Sequence, residues 1–290
     1  MISGVNDLPE LSFNTTDEEL TTLTDEITAF IETTVEDAGA DGAIVSMSGG
    51  IDSTLTAYLA REALGADRVT AMTLPCHLTD AVNTLDAQTL ADDLDIETLT
   101  VQLQPLLDMF EDAVASTVDD GVDRVAIGNA VSRLRMTSAY YAANRTNSLV
   151  CGTSNRTELL LGYFTKHGDG AADLRPLAGL YKTEVRALAR HMDVPRYVIE
   201  KTPTADLWAG QTDEADLGAP YGLIDVILHA LVDSDLGVEG TASELGLDEA
   251  VVGQYAHRLI ENRHKRVPTP TPETARGVRD ELFYELETRF

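Results

Sequence analysis

The chain has 290 residues, a formal net charge of -28 at pH 7, a pI near 4.3 and two cysteines, Cys76 and Cys151. Such acidity argues against nucleic acid and anionic membrane surfaces as partners, since both need a basic face. No apolar run approaches the roughly 20 residues that cross a bilayer, and two distant cysteines make neither a disulfide framework nor a zinc pattern.

The acidic, polar start is unlike a secretory signal, so a cytoplasmic protein is expected. Lysine occurs only at Lys166, Lys182, Lys201 and Lys265. Acidic excess with so little lysine suggests adaptation to high salt, where a dense carboxylate shell keeps the surface hydrated; the alternative is an acidic protein from an ordinary cytoplasm. Residues 124 to 201 hold twelve of the twenty-one basic residues. A segment that gathers positive charge in so acidic a chain suggests an anion site, with cationic outer helix faces accounting for about half of it.

Residues 17 to 38 place Leu20, Leu23, Ile27, Phe30, Ile31 and Val35 near helical spacing. GAIVSMS (42 to 48) reads as a buried strand, and 51 to 65 as a helix stopped at Leu64-Gly65. Then come a strand at 67 to 75, a helix at 80 to 93 and a strand at 96 to 103. Helices through about 117 and over 124 to 145 lead to a fourth strand in SLVCGT, 148 to 153. This alternation predicts an α/β fold with a doubly wound parallel sheet. The remainder is expected to be mainly helical, with helices at 181 to 192 and 220 to 232. The stretch 201 to 220 has no clear period and reads as a functional loop. RVPTPTPET (266 to 274) reads as an extended connector into a last short helix.

SMSGGIDS, residues 46 to 53, turns the first strand into the first sheet helix. It lacks the lysine of a Walker loop. Gly49 and Gly50 permit a sharp turn that brings N–H groups to an anion, and the following helix aims its positive end there. Ser48 and Ser53 add hydroxyls. Asp52 would repel a phosphate unless a divalent cation lies between them, so the turn predicts a polyphosphate with Mg²⁺.

Ser-Gly-Gly-x-Asp-Ser at a strand end resembles the signature of the PP-loop ATP pyrophosphatases, which cleave ATP between the α and β phosphates. Downstream, GNAVSRLRM (128 to 136), GTSNRTELLLGYFTKHGDGAADLRPLAGLYKTEVRALA (152 to 189), KTPTADLW (201 to 208) and HKR (264 to 266) closely resemble the NAD synthetase family. The resemblance covers nearly the whole chain. It implies a Rossmann-like, adenine nucleotide alpha hydrolase-like sheet with extra C-terminal helices, in a single domain over residues 1 to 290. It also implies an ammonia-dependent ligase that adenylates deamido-NAD with ATP, releases diphosphate and forms the amide of NAD. With no glutaminase domain and neither cysteine in a nucleophile context, free ammonia is the expected nitrogen source.

Carried over residue by residue, the match implies that Ser46, Met47, Ser48, Gly49, Gly50, Ile51, Asp52 and Ser53 cradle ATP, with Thr153, Lys182 and Thr204 as further ATP contacts. Asp52 and Glu158 match Mg²⁺ ligands. Arg133, Lys166, Asp173, His264 and Lys265 match deamido-NAD contacts. Lys182 and Asp173 are the expected catalytic groups, Asp173 for orienting ammonia or accepting its proton. Segments 75 to 88 and 201 to 218 match the family's mobile lids, the second carrying Trp208. A homodimer is implied. The alternatives are a non-catalytic nucleotide-binding protein, which has no need for both Asp52 and Glu158, and another PP-loop amidating ligase.

Overall fold

The structure, a computed structural model, describes residues 13–76, 81–118, 123–204 and 210–270. Among these, four parallel strands form one sheet: β1 (Gly42–Ser46), β2 (Val69–Thr73), β3 (Glu97–Thr100) and β4 (Ser148–Cys151), in the order β3-β2-β1-β4. Ile44 lies opposite Thr70 on one side and Val150 on the other, and Ala71 lies opposite Thr98. Helix α1 (Asp17–Asp37) precedes the sheet. The strands are joined by α2 (Ile51–Leu64), α3 (Ala81–Asp93), α4 (Gln104–Phe110), a π turn (Glu111–Ala115), α5 (Ser116–Val118) and α6 (Arg124–Thr146). After β4 come α7 (Arg156–Leu161), α8 (Lys182–His191), α9 (Arg196–Ile199), α10 (Asp213–Leu217) and α11 (Tyr221–Leu228), which runs into a π turn (His229–Asp233). α12 (Val238–Leu245), α13 (Glu249–Glu261) and α14 (Arg263–Arg266) complete the described chain.

Side chains of a strand alternate between faces, and β1 shows why the sheet is covered on both. Ala43 and Val45 enter a core with Ile31 of α1, Leu55 of α2, Leu90 of α3 and Leu188 of α8. Ile44 faces the opposite core with Met72, Val150, Leu107 of α4 and Val131 of α6. A third cluster surrounds α11, where Leu223, Ile224 and Ile227 pack with Leu161, Leu217, Val252 and Tyr255. It holds the C-terminal helices against α7 and α8.

The strand order reverses between β1 and β4. Ligands of open α/β sheets bind outside the carboxyl ends of strands at such a switch point. The turn after β1 is the glycine turn, and the segment after β4 carries Thr153, Asn155 and Glu158. The topology therefore delivers both sequence-predicted segments to one crevice.

Several boundaries differ from expectation. β1 ends at Ser46, although the Met47 N–H still donates to the Met72 carbonyl at 2.9 Å. β2 starts at Val69 after a 3₁₀ turn. β3 is a partly exposed edge strand of four residues; Val101 and Leu103 continue beyond it by donating to Thr73 and Pro75. β4 stops at Cys151, where Leu174 forms a parallel bridge on its outer side. Within the stretch expected to be irregular, α10 forms a short helix because the Thr212 side chain caps it by accepting from the Ala215 N–H. Trp208, residues 77 to 80 of the first expected lid, and residues 271 to 274 of the proline connector with the last short helix lie outside the described residues.

Candidate active site

Gly49 has φ +73°, a conformation that side chains with a Cβ rarely adopt, and its backbone packs against α3: a Cβ there would lie 2.7 Å from the Asn83 carbonyl. Gly50 is the N-cap of α2 and leaves the helix without a side-chain cap, so first-turn N–H groups face the crevice unclaimed by a cap. Ser53 folds back over the turn. Its Oγ accepts from the Ser48 N–H at 3.2 Å, lies 3.2 Å from the Ser48 Oγ and donates to the Gly50 carbonyl at 3.1 Å. The Lys201 amine donates to the Gly49 carbonyl at 3.3 Å and to Asp86 of α3 at 2.9 Å. Gly49→Ala should cost about 2 kcal/mol through the left-handed backbone alone and push α3 away from the turn. Denaturant melts and ATP titration check both effects.

The centre of the crevice is a buried lysine between two carboxylates. The Lys182 side chain is 2% exposed; its amine pairs with Asp52 Oδ2 and, at 3.2 Å, with Glu158 Oε1. Asn155 joins the two strand ends. It caps α7 by accepting from the Glu158 N–H at 3.0 Å and donates to Asp52 Oδ1 at 2.9 Å. The Lys182 amine also rests 5.0 Å from the Tyr221 ring centre. The Tyr221 hydroxyl donates to Asp213 at 2.7 Å and reaches Glu158 at 3.4 Å. Burial alone would lower the Lys182 amine, but Asp52 and Glu158 overcome it and hold the ammonium above the ordinary lysine range. Burial pushes the Glu158 carboxyl up, to about 7, against the pull of Lys182 and with help from Asp52 and Asp213.

The lysine is positioned from behind. Asp225 of α11 is fully buried. It accepts from the Thr157 hydroxyl at 2.6 Å, the Thr183 N–H at 2.8 Å and the Thr183 hydroxyl at 2.7 Å. Thr157 in turn accepts from the Lys182 N–H at 3.1 Å. One carboxylate thus ties together α7, which bears Glu158, and the start of α8, which bears Lys182. The Tyr181 N–H donates to Glu184, which also accepts from Asn14 ahead of α1.

A second cluster gathers most of the expected dinucleotide contacts. Arg133 of α6 donates to the Lys166 carbonyl at 3.2 Å, and the Lys166 amine donates to the His264 carbonyl at 2.8 Å. Lys265 turns inward and donates to the carbonyls of Gly162 at 2.6 Å and Phe164 at 3.0 Å. Its charge is spent on the turn after α7, and burial lowers its amine. Asp173 lies elsewhere, at the sheet edge. Its carboxylate accepts from the Val150 N–H at 2.7 Å and the Tyr140 hydroxyl at 3.2 Å. Burial first, and Asp173 after it, push the Tyr140 phenol up to about 12, so it stays a donor.

The structure therefore joins Ser48, Asp52, Ser53, Glu158 and Lys182 in one crevice, and Arg133, Lys166 and His264 in a second cluster. Ser46 ends β1, and the Met47 side chain and Ile51 are buried supports. Thr153 follows β4, and Thr204 is exposed beside residues 205–209, which are not described. Asp173 is not brought to the Lys182 centre. Asn155, Thr157, Asp213, Tyr221 and Asp225 were missed from sequence. Only Asn155 carried a signal, an N-cap residue three positions before a glutamate. Cys76 and Cys151 are both buried, and burial pushes the Cys151 thiol up to about 12, which leaves it a poor nucleophile at neutral pH.

Among the described residues, no three His, Cys, Asp or Glu side chains cluster to hold a metal unaided. Asp52 and Glu158 supply two hard oxygen ligands on one shared cation. That is the donor set Mg²⁺ uses when substrate phosphates and water complete its shell. The residues present fit it.

Residues 23–269 match the family described as NAD synthase. An NH₃-dependent NAD⁺ synthetase of Methanosarcina acetivorans is 43% identical over 85% of this chain and 96% of its own length. One from Halobacterium salinarum is 41% identical over 88% and 94%. Among solved structures, an NMN synthetase from Francisella tularensis has a TM-score of 0.74 at 33% identity, covering 88% of this chain and 98% of its own. An NH₃-dependent NAD synthetase from Campylobacter jejuni, in complex with nitrate, has 0.73 at 31%, covering 88% and 99%.

Proposed function

The chain belongs to the NAD synthase family, and on that premise we propose that it is an NH₃-dependent NAD⁺ synthetase, a carbon–nitrogen ligase that turns ATP, deamido-NAD and ammonia into NAD⁺, AMP and diphosphate. The observation that carries this reading is the buried Lys182 joining Asp52 and Glu158 at the switch point between β1 and β4. A binding protein has no use for so costly an arrangement beside a phosphate turn.

A carboxylate is a poor electrophile and needs a leaving group first. The nicotinate carboxylate oxygen bonds to the α-phosphorus of ATP, the α–β bridge breaks, and its electron pair leaves with diphosphate. Ammonia then attacks the acyl carbon, the bond to AMP breaks, and the nitrogen loses a proton. First-turn N–H groups of α2, with Ser48 and Ser53, bind the phosphate oxygens on which charge builds. Lys182 holds Asp52 and Glu158 in register and faces the same charge. Mg²⁺ held by those carboxylates would neutralise the phosphates. Thr153 and Thr204 serve as further ATP contacts. Arg133, Lys166 and His264 hold deamido-NAD, and Lys265 supports them by fixing the turn after α7. The same reading includes a homodimer, working in the cytoplasm, which light scattering tests for the first part.

Incubation with ATP, Mg²⁺, ammonium and deamido-NAD should give NAD⁺, AMP and diphosphate in equal amounts. Nicotinate mononucleotide belongs in a parallel reaction, because a structural neighbour is an NMN synthetase. Product only from the mononucleotide would move the substrate assignment, and no product from either would refute the ligase.

For Asp173, the ammonia role and the strand-edge role separate in Asp173→Asn. Loss of stability is expected, since an amide cannot replace both acceptances from Val150 and Tyr140 in kind. An unchanged rate with ammonia would remove the catalytic role. Glu158 makes stability and activity respond oppositely to pH. Its folded pKa is raised from 4.5 to about 7, so the native state holds the proton more tightly. Its contribution to stability is full below 4.5 and is lost as pH rises through about 7. Activity needs the carboxylate, so the rate should fall on the acid side. Glu158→Gln should raise the melting temperature more at pH 8 than at pH 5 and abolish most activity at both.

A further inference from the structure

The cation-rich segment is only partly used by the reaction centre. Lys182 begins a stripe on α8 continued by Arg186 and Arg190 at four-residue steps, each about 6 Å further along the axis. Arg186 lies 5.8 Å from the Tyr221 ring centre, the ring that Lys182 approaches at 5.0 Å. Both arginines then line a cavity of about 930 Å³, walled further by α9 and residues 201 to 203. Its charged lining is Arg186, Arg190, Arg196 and Lys201 against Asp193 and Glu200.

Cations outnumber acids there, in a chain where acidic residues outnumber basic ones 49 to 21. Arg196 is paired with Glu200 at 2.6 Å and Lys201 with Asp86 at 2.9 Å. Among the described residues, Arg186 and Arg190 have no carboxylate within ion-pair distance. Arg190 donates one N–H to the Arg186 carbonyl at 3.3 Å and Arg186 lies over the Tyr221 ring, so both keep their charge and further donors. Two guanidiniums without a carboxylate partner at the wall of a cavity concentrate positive potential, and their planar forks suit phosphate oxygens. Two of its lining residues reach toward the reaction centre: Lys201 touches the Gly49 carbonyl of the phosphate turn, and Arg186 touches the Tyr221 ring that Lys182 approaches.

We propose that this cleft binds inorganic diphosphate after the α–β bond has broken, passing it from Lys182 along Arg186 and Arg190 toward solvent. Its product role rests on the ligase reading; its ability to bind diphosphate does not. A site that draws off the anion would disfavour resynthesis of ATP from the adenylate while ammonia arrives.

The test is calorimetric titration of the full chain, without turnover, with inorganic diphosphate, orthophosphate and ATP. The wild type should bind diphosphate at least about tenfold more tightly than orthophosphate. Arg190→Gln should weaken diphosphate about tenfold and ATP by less than about twofold, with Arg190→Lys intermediate. Arg145→Gln removes an exposed charge at the far end of α6 and should leave diphosphate binding within about twofold. In turnover assays, the inhibition constant of added diphosphate should rise in Arg190→Gln by the same factor as its dissociation constant. Unchanged diphosphate binding in Arg190→Gln overturns the site. Equal weakening of ATP and diphosphate overturns it as a product site and assigns the cleft to the substrate triphosphate. Absence of NAD⁺ formation by the wild type overturns the ligase reading and the product role together, whatever the binding result.

Discussion

Lys182→Met should slow NAD⁺ formation by at least about a thousandfold and lower stability by about 3 kcal/mol. The first effect follows from removing the cation that the proposed reaction sets against the departing phosphates. The second follows from what is left behind. Asp52 and Glu158 would face each other without the ammonium that joins them, in a place where burial already pushes Glu158 up. Both carboxylates keep a little solvent access, at 18% and 17% exposure, which is why the lower end of the usual range for a broken buried pair applies. A divalent cation can substitute for the lost ammonium between them. Mg²⁺ should therefore raise the melting temperature of Lys182→Met more than that of the wild type, without restoring the rate. Lys182→Arg keeps the charge but has a planar head that does not fit the pocket of a tetrahedral ammonium, and should recover stability better than activity. Equal Mg²⁺ stabilisation of wild type and Lys182→Met would mean that the carboxylates are not a shared cation site.

What was legible in the sequence follows from how local each feature is. The glycine turn is a contiguous string, and its parts all act within one strand end and one helix start, so Gly49, Ser48, Ser53 and Asp52 could be read directly. The four strands were legible because alternation and apolar runs act over a few residues. Their ends were not, since β3 and β4 are both edge strands with one strand neighbour, and the last residue of β4 pairs on its outer side with Leu174, a contact distant in sequence. Helix α10, at five residues, is too short to show a period, and its existence depends on the Thr212 cap. Glu158 and Lys182 stood in motifs, but the pairing of Lys182 with Asp52 spans 130 residues of sequence and needs the fold. Tyr221, Asp213 and Asp225 carry no local signal. Tyr221 and Asp225 matter because α11 is buried against α7 and α8, and Asp213 of α10 because the Tyr221 hydroxyl donates to it. Lys265 shows the converse: its position matched a ligand role, yet its amine is turned toward two backbone carbonyls.

Asp225 yields the second large effect, and one whose stability and activity parts separate. Asp225→Ala leaves one buried donor, from Thr157, and two half-buried donors, both from Thr183, without their acceptor. That should cost about 3–5 kcal/mol. Asp225→Asn is different. Its amide oxygen can keep both Thr183 donors, and its NH₂ can turn toward Thr157 Oγ1, which has a second lone pair beside the one that accepts from Lys182. Only the Thr157 hydroxyl proton loses its acceptor. Against that loss, a charge whose burial pushes the Asp225 carboxyl up is replaced by a neutral group. The two effects oppose each other, so the fold should change by no more than about 1 kcal/mol. The activity should not be spared. The bond that weakens is the one linking α7 to α11, and α7 carries Glu158. A shift of about 1 Å in a reacting constellation costs on the order of a hundredfold, so kcat should fall between about tenfold and a hundredfold while the KM for deamido-NAD, which we propose binds at the separate Arg133–Lys166 cluster, stays near the wild-type value. Thermal melts alongside steady-state kinetics decide it. An Asp225→Asn protein with wild-type kcat would show that the carboxylate holds the fold together without setting the geometry of Lys182 and Glu158.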